Sequence, residues 1–171
     1  MGITRLNHAV LYVRDAERHA RFYADVLGFH EVVRMSLGGG RQGVFMRAPG
    51  STNDHDVAFF GLGAELGDST AGRATVGLYH LAWEVPTLAD LADHAAKLSA
   101  AGALVGASDH VATKALYARD PDGLEFEVSW IVPVELLGDG EADEPTIAPL
   151  DLDADIARFG AETRGQVTVP G

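Results

Sequence analysis

The sequence predicts an α+β fold made of two βαβββ modules followed by a C-terminal extension, and three observations carry that prediction. Two short segments resemble one another, Asn7-His8-Ala9-Val10-Leu11-Tyr12-Val13 and Tyr79-His80-Leu81-Ala82-Trp83-Glu84-Val85, and each opens a strand-then-helix pattern. Sliding the chain by 72 positions lays His8 on His80, Val13 on Val85 and His55 on Glu127. The third observation is bulk composition: 171 residues, 47% of them hydrophobic and 22% charged, suffice to bury an ordinary core in one domain of two similar halves.

The first module is expected over about residues 5–60. Its opening strand runs from Leu6 to Val13. Asp15 then caps a helix from Ala16 to Leu27, whose apolar stripe is Ala16, Ala20, Tyr23 and Leu27 and whose stop is Gly28. Strands follow at His30–Leu37, at Gln42–Met46 after the turn Gly38-Gly39-Gly40, and at His55–Phe60 after a polar break. The glycine turn does not lead into a helix, so it is not a phosphate loop.

Residues 61–76 are rich in Gly and polar residues and read as a linker, after which the order repeats over about 77–133. Leu78 to Val85 is a strand. Thr87 caps the next helix with Asp90 three residues on, Leu88, Leu91, Ala95 and Leu98 form its buried stripe, and Gly102 ends it. Ala103–Val105, Lys114–Arg119 and Leu124–Val132 complete the module.

Residues 134–171 stand outside the repeat. The stretch Glu135–Pro149 is acidic and loop-like, and Asp151–Thr163 predicts a helix with Leu152, Ile156 and Phe159 at helical spacing, a stripe that needs a surface on its own domain or on a neighbouring subunit. Beyond Pro133, nine acidic residues face only Arg158 and Arg164, and the whole chain carries a net charge of −12. That balance argues against nucleic acid or an anionic membrane as partner, since both attract basic faces. With no cysteine, any metal sits on nitrogen and oxygen donors. Met1-Gly2-Ile3-Thr4-Arg5 lacks an apolar signal region and no stretch reaches the length of a membrane span, so a cytoplasmic location is expected.

Strand alternation places His8, Val10 and Tyr12 on one face and Ala9, Leu11 and Val13 on the other. By the same rule His80, Ala82 and Glu84 share a face, as do Glu125, Glu127 and Ser129. Helices cover the apolar faces, and a cup formed by the other faces would gather His8, His80 and Glu127. Charged groups in such a cavity need compensation, which a divalent cation provides. Two histidines and one carboxylate with open positions are the donor set of mononuclear non-haem Fe(II) oxygenases, and the same donors suit Mn(II), Zn(II) or Ni(II).

Four segments carry a family resemblance: Leu6–Asp15, Arg21-Phe22-Tyr23-Ala24-Asp25-Val26-Leu27-Gly28-Phe29, Tyr79–Val85 and Asp120-Pro121-Asp122-Gly123-Leu124-Glu125-Phe126-Glu127. Together they resemble the vicinal oxygen chelate superfamily, which includes glyoxalase I, bleomycin-resistance proteins and extradiol catechol dioxygenases, and the likeness spans residues 5–133. It implies paired βαβββ modules forming a cup around a metal, with His8, His80 and Glu127 as ligands. The glyoxalase branch generally has a second carboxylate on the last strand of the first module. Here that place holds Asn53-Asp54-His55-Asp56-Val57, which is similar to the small catechol 2,3-dioxygenase pattern, in which a His serves as acid–base residue.

By the same resemblance, Tyr117 and His110 match further active-site residues of that branch. The implied activity is ring cleavage of a catechol-like aromatic diol with O2 on Fe(II), and the implied assembly is a homodimer. The alternatives are a glyoxalase-type lyase or isomerase with His55 as fourth ligand, and a metal-free antibiotic-binding protein. Each site residue also has a plainer reading: His55 as a surface residue between two acids, His110 as a solvent-facing loop residue, Tyr117 as core packing. His19, His30 and His94 read as structural. Lys114 reads either as an exposed strand residue or as a partner for a substrate anion.

Overall fold

The computed structural model of the chain describes residues 2–71, 74–138, 140–141 and 146–166. Two compact units emerge, the first comprising Met1–Ser69 with Asp120–Gly123, the second Thr70–Arg119 with Leu124–Gly171.

The first unit contains β1 (Ala9–Val13), α1 (Ala16–Leu27), β2 (His30–Gly38), β3 (Arg41–Arg47) and β4 (Val57–Gly61). The strand order is β1-β4-β3-β2, with β1 parallel to β4 and the other neighbours antiparallel. The expected cap is in place: Asp15 accepts the N–H groups of Glu17 and Arg18 at 2.9 and 3.1 Å. Gly28 ends α1 with φ 75°, a left-handed conformation that a side chain would strain. One sheet face carries α1. There Tyr23, Phe29 and Phe59 meet with ring centroids 4.7 and 5.4 Å apart, and Val44, Met46 and Val57 are fully buried. Gly61 belongs to this close packing, because a Cβ there would lie 2.9 Å from the Ala16 nitrogen.

His19 is completely buried on α1 and anchors the Asp120–Gly123 turn. Its Nδ1 faces the Asp15 carbonyl at 2.9 Å and its Nε2 faces Asp120 Oδ2 at 3.2 Å. Both partners only accept, so these contacts favour the protonated ring. Burial opposes that charge, but the Asp120 and Asp15 hydrogen bonds and the charges of Asp120 and Asp122 outweigh it and raise the pKa above 6.5. A raised folded-state pKa stabilises below about pH 6.5, and the contribution fades as pH climbs through the folded value. His19→Gln is therefore expected to lose more stability at pH 6 than at pH 9, measured by urea denaturation. An equal loss at both would show that the charge contributes nothing.

The second unit contains β5 (His80–Glu84), α2 (Leu88–Ala100), β6 (Leu104–Asp109), β7 (Thr113–Arg119), β8 (Glu125–Ile131), a 3-10 turn at Val134–Leu136, β9 (Ala148–Pro149) and α3 (Leu152–Phe159). The order is β5-β8-β7-β6-β9, with β5 parallel to β8. Thr87 caps α2 by accepting the Asp90 N–H at 3.1 Å while its hydroxyl donates to the Asp90 carboxylate at 2.6 Å. The α+β expectation of two βαβββ modules is borne out, as two mixed sheets of four and five strands.

Several details differ from the sequence reading. β1 and β4 begin later than expected, so His8 and His55 sit in the segments leading into them. β6 is longer than Ala103–Val105 because it pairs with both β7 and β9. The acidic 135–149 segment holds the 3-10 turn and β9, while Asp139 and residues 142–145 lie outside the described residues. The stripe of α3 is settled on its own unit: Phe159 stacks 5.6 Å from the buried Trp130, whose indole donates to the Thr163 carbonyl at 3.2 Å. Lys114 is the clearest correction. It is only 2% exposed, opposite Trp130 on the α2-bearing face, and its ammonium pairs with Asp109 at 2.6 Å and Asp155 at 3.2 Å. Strand parity turns it away from the His80–Tyr117 face, so it is neither exposed nor a substrate anion's partner.

Candidate active site

In the first unit, the face opposite α1 is apolar and aromatic. Val10, Ala58, Phe45 and Val33 are neighbours across the four strands, as are Tyr12, Phe60, Gly43 and Met35. Phe45 and Phe60 have centroids 5.9 Å apart, and Phe45 presents an edge to His55 at 5.0 Å. His55 also lies 4.4 Å from His8, ring to ring. The His8 Nδ1 is 2.7 Å from Asn7 Oδ1, an oxygen that only accepts, so the proton is on Nδ1 and the Nε2 lone pair is available. The His55 Nε2 is buried and has no hydrogen-bond partner in the unit, which leaves a ring nitrogen unused.

Asn53 holds this pair together. Its amide donates to the Asn7 carbonyl at 2.8 Å and to Asp56 Oδ1 at 2.7 Å, tying the turn before β4 to the residue before His8. Asp56 in turn accepts the Ser51 hydroxyl at 2.7 Å and the Ala48 N–H at 2.8 Å. Asn7 and Asn53 were not singled out from the sequence. The signal for Asn53 was the polar run Asn53-Asp54-His55-Asp56, where short amide and carboxylate side chains build turns.

In the second unit, the face opposite α2 carries the other candidates. His80 Nε2 stands 3.2 Å from Glu127 Oε2. Two donors on adjacent octahedral positions of one ion, each about 2.1 Å from it, are about 3.0 Å apart, so this pair fits a divalent cation. The His80 Nδ1 is buried without a partner. Tyr117 is the cross-strand neighbour of Glu127, and its ring centroid is 5.8 Å from that of His80. Burial first, then the charges of Glu127 and Glu125 and the nearby Tyr79, hold its hydroxyl above the usual phenol range, so it stays protonated at neutral pH. Its oxygen is 3.0 Å from His110 Nε2, and the His110 Nδ1 is 3.1 Å from the Thr146 carbonyl.

The structure thus joins His8 with His55 in one unit, and His80, Glu127, Tyr117 and His110 in the other. Among the described residues, no group of three or more His, Asp or Glu side chains is placed to hold a metal ion. His110 is half-buried and engaged through both nitrogens, not a free surface ring. His94, whose Nδ1 faces the Asp90 carbonyl at 2.8 Å, and His30, which faces Arg47 at 3.1 Å, hold local structure as expected. No helix among the described residues is long and apolar enough to cross a membrane.

A family model described as the Glyoxalase/Bleomycin resistance protein/Dioxygenase superfamily matches residues 5–128. The chain is 36% identical over 126 residues to a biphenyl-2,3-diol 1,2-dioxygenase 3 of Rhodococcus globerulus, covering 72% of this chain and 62% of that one. It is 30% identical over 128 residues to a catechol-2,3-dioxygenase of Bacillus subtilis (strain 168), covering 73% and 41%. The match therefore spans less than two thirds of either relative's length. Among solved structures, a glyoxylase/bleomycin resistance protein/dioxygenase domain from Frankia sp. EAN1pec superposes with a TM-score of 0.62 at 23% identity, covering 78% of this chain and 96% of that one, a likeness of fold.

Proposed function

The chain belongs to the glyoxalase/bleomycin resistance protein/dioxygenase superfamily, and on that premise we propose that it is a metal-dependent extradiol dioxygenase that opens the ring of a catechol-like diol with O2. The observation that carries this reading is the grouping on one sheet face of a donor pair spaced for one cation, His80 and Glu127, with a hydrogen-bonded Tyr117–His110 pair. His8, with its Nε2 lone pair free, is the third proposed ligand. Both curated relatives are named as dioxygenases of aromatic diols, in keeping with this choice within the superfamily.

Fe(II) is the proposed cation; when bound, it supplies Lewis acidity toward the diol and redox chemistry toward O2. The rest falls to the chain's own residues. His55, with an unpartnered ring nitrogen, accepts the proton of the diol's second hydroxyl and returns it as the ring opens. Phe45, Phe60 and Tyr12 offer the flat apolar surface that an aromatic ring stacks on. The carbonyl of Thr146 only accepts, so neutral His110 carries its proton on Nδ1 and takes the Tyr117 O–H at Nε2. Tyr117 then presents lone pairs that accept a hydroxyl. When that hydroxyl passes its proton through Tyr117 to His110 Nε2, the hydrogen bond reverses and the proton now on Tyr117 points back at the oxyanion left behind, which it stabilises. Both O2 atoms enter the product, a ring-opened semialdehyde acid.

A second reading has one observation in its favour. The His55 ring lies beside His8 with a buried, unused nitrogen, where a fourth ligand of a glyoxalase-type Ni(II) or Zn(II) site would be. Anaerobic purification, metal analysis and addition of catechol in air separate the readings. Iron with oxygen uptake and a yellow ring-cleavage product is the expected result. Nickel or zinc without oxygen uptake would transfer the assignment to a lyase or isomerase, and absence of bound metal would favour a binding protein.

A further inference from the structure

The C-terminal segment converges on the hairpin that carries His110. β9 pairs antiparallel with β6, Pro149 opposite Ser108 and Ala148 opposite Asp109. The Thr146 carbonyl lies 3.1 Å from the His110 Nδ1. From α3, Asp155 reaches the buried Lys114 ammonium at 3.2 Å, and Lys114 reaches Asp109 at 2.6 Å. Asp109 Oδ1 also accepts the Val111 N–H at 2.7 Å. The Phe159 ring closes over Lys114 with its centroid 5.7 Å from the ammonium.

The hairpin tip needs such support. Val111 has φ 68°, and among the described residues it is the one non-glycine with positive φ. The Ala112 N–H returns to the His110 carbonyl at 2.8 Å, closing a three-residue turn. A β-branched residue in that region is disfavoured and persists only where its surroundings over-determine it. Asp109, Lys114 and Asp155 form the chain of contacts that does so, and its last member comes from the C-terminal helix.

We propose that the segment 146–159 is a clamp that fixes His110 in its Nδ1–H tautomer and so sets the direction of the His110–Tyr117 hydrogen bond. His110 is thereby oriented from outside the repeated modules, and Asp155 and Lys114 are positioning residues that touch no substrate. Only the use of the pair in turnover rests on the dioxygenase reading; the clamp does not.

The test is 15N NMR of the histidine rings in the full chain with Zn(II) added, at a pH where His110 is neutral. In the unsubstituted protein, His110 is expected to show a protonated Nδ1 and a bare Nε2. Asp155→Ala is expected to average the two tautomers and to lower kcat toward catechol, in the iron-loaded protein, by about 10- to 100-fold, with KM and metal content little changed. Asp155→Asn, which keeps a hydrogen bond to Lys114, is expected to restore most of both. A protonated Nε2 in the unsubstituted protein, or an unchanged His110 in a folded Asp155→Ala variant, overturns the clamp. If Asp155→Ala does not fold, the spectrum of the unsubstituted protein still decides. A fixed tautomer lost in Asp155→Ala without any catechol turnover leaves the clamp standing and sinks the dioxygenase reading, whereas turnover with an indifferent tautomer does the reverse.

Discussion

His80→Ala is expected to abolish metal retention while leaving a folded chain. His80 is half-buried at the start of β5, with Nε2 3.2 Å from Glu127 Oε2, so its removal deletes one proposed donor and isolates a second. Loss of a partner that merely orients a ligand weakens metal binding about 10- to 100-fold, and loss of a ligand is expected to exceed that. The fold should survive, because the packing on the other sheet face, Phe126, Val128 and Trp130 beneath α2 and α3, does not involve this ring. Atomic emission of the purified variant against the unsubstituted protein gives the metal ratio, and far-UV circular dichroism reports the fold. A variant that keeps a full equivalent of metal would remove His80 from the ligand set and with it the central premise of the proposed function. Glu127→Gln is the companion, since an amide keeps the shape but loses the charge that a divalent cation requires.

The modules were legible because helices and paired strands declare themselves locally. Asp15, Gly28 and Thr87 sit where caps and stops are expected, and the helix read as Ala16–Leu27 has those bounds in the structure. The site candidates came from another source: the duplicated strand placed His8 and His80 at matching points, the family resemblance pointed to Tyr117, and the register then set Tyr117 beside Glu127. Long-range electrostatics were not legible. Lys114 looked like a solvent-facing residue because nothing in its neighbourhood in sequence announces Asp155, 41 positions later, as its partner. His19 looked merely structural, although its ring meets Asp120 across about a hundred residues of chain and has its pKa raised by that contact. The hold of Thr146 on His110 is made by a backbone carbonyl, which has no residue-type signal at all. Strand parity told which face a residue occupies, but not which distant segment would cover that face.

His55→Ala is expected to keep the metal and lower turnover by about 10²- to 10⁴-fold, the range a positioned acid–base group contributes. The residue lies ahead of β4, held by the Asn53 and Asp56 turn, with a buried Nε2 that engages no partner in its unit. An unpaired buried nitrogen is costly to keep unless it is used. Two uses are open to it, and they make opposite forecasts. As acid–base residue it is dispensable for the metal and indispensable for the reaction, so the variant should bind catechol, hold iron and turn over slowly. As a fourth ligand it holds the cation directly, so the variant should lose metal much as His80→Ala does. His55→Gln sharpens the contrast, because it keeps hydrogen-bonding capacity but carries no titratable nitrogen near neutral pH. Metal retained with activity lost in both variants assigns His55 to proton transfer. Metal lost in both moves it into the coordination sphere, and the glyoxalase-type chemistry of the superfamily then becomes the better account of the chain.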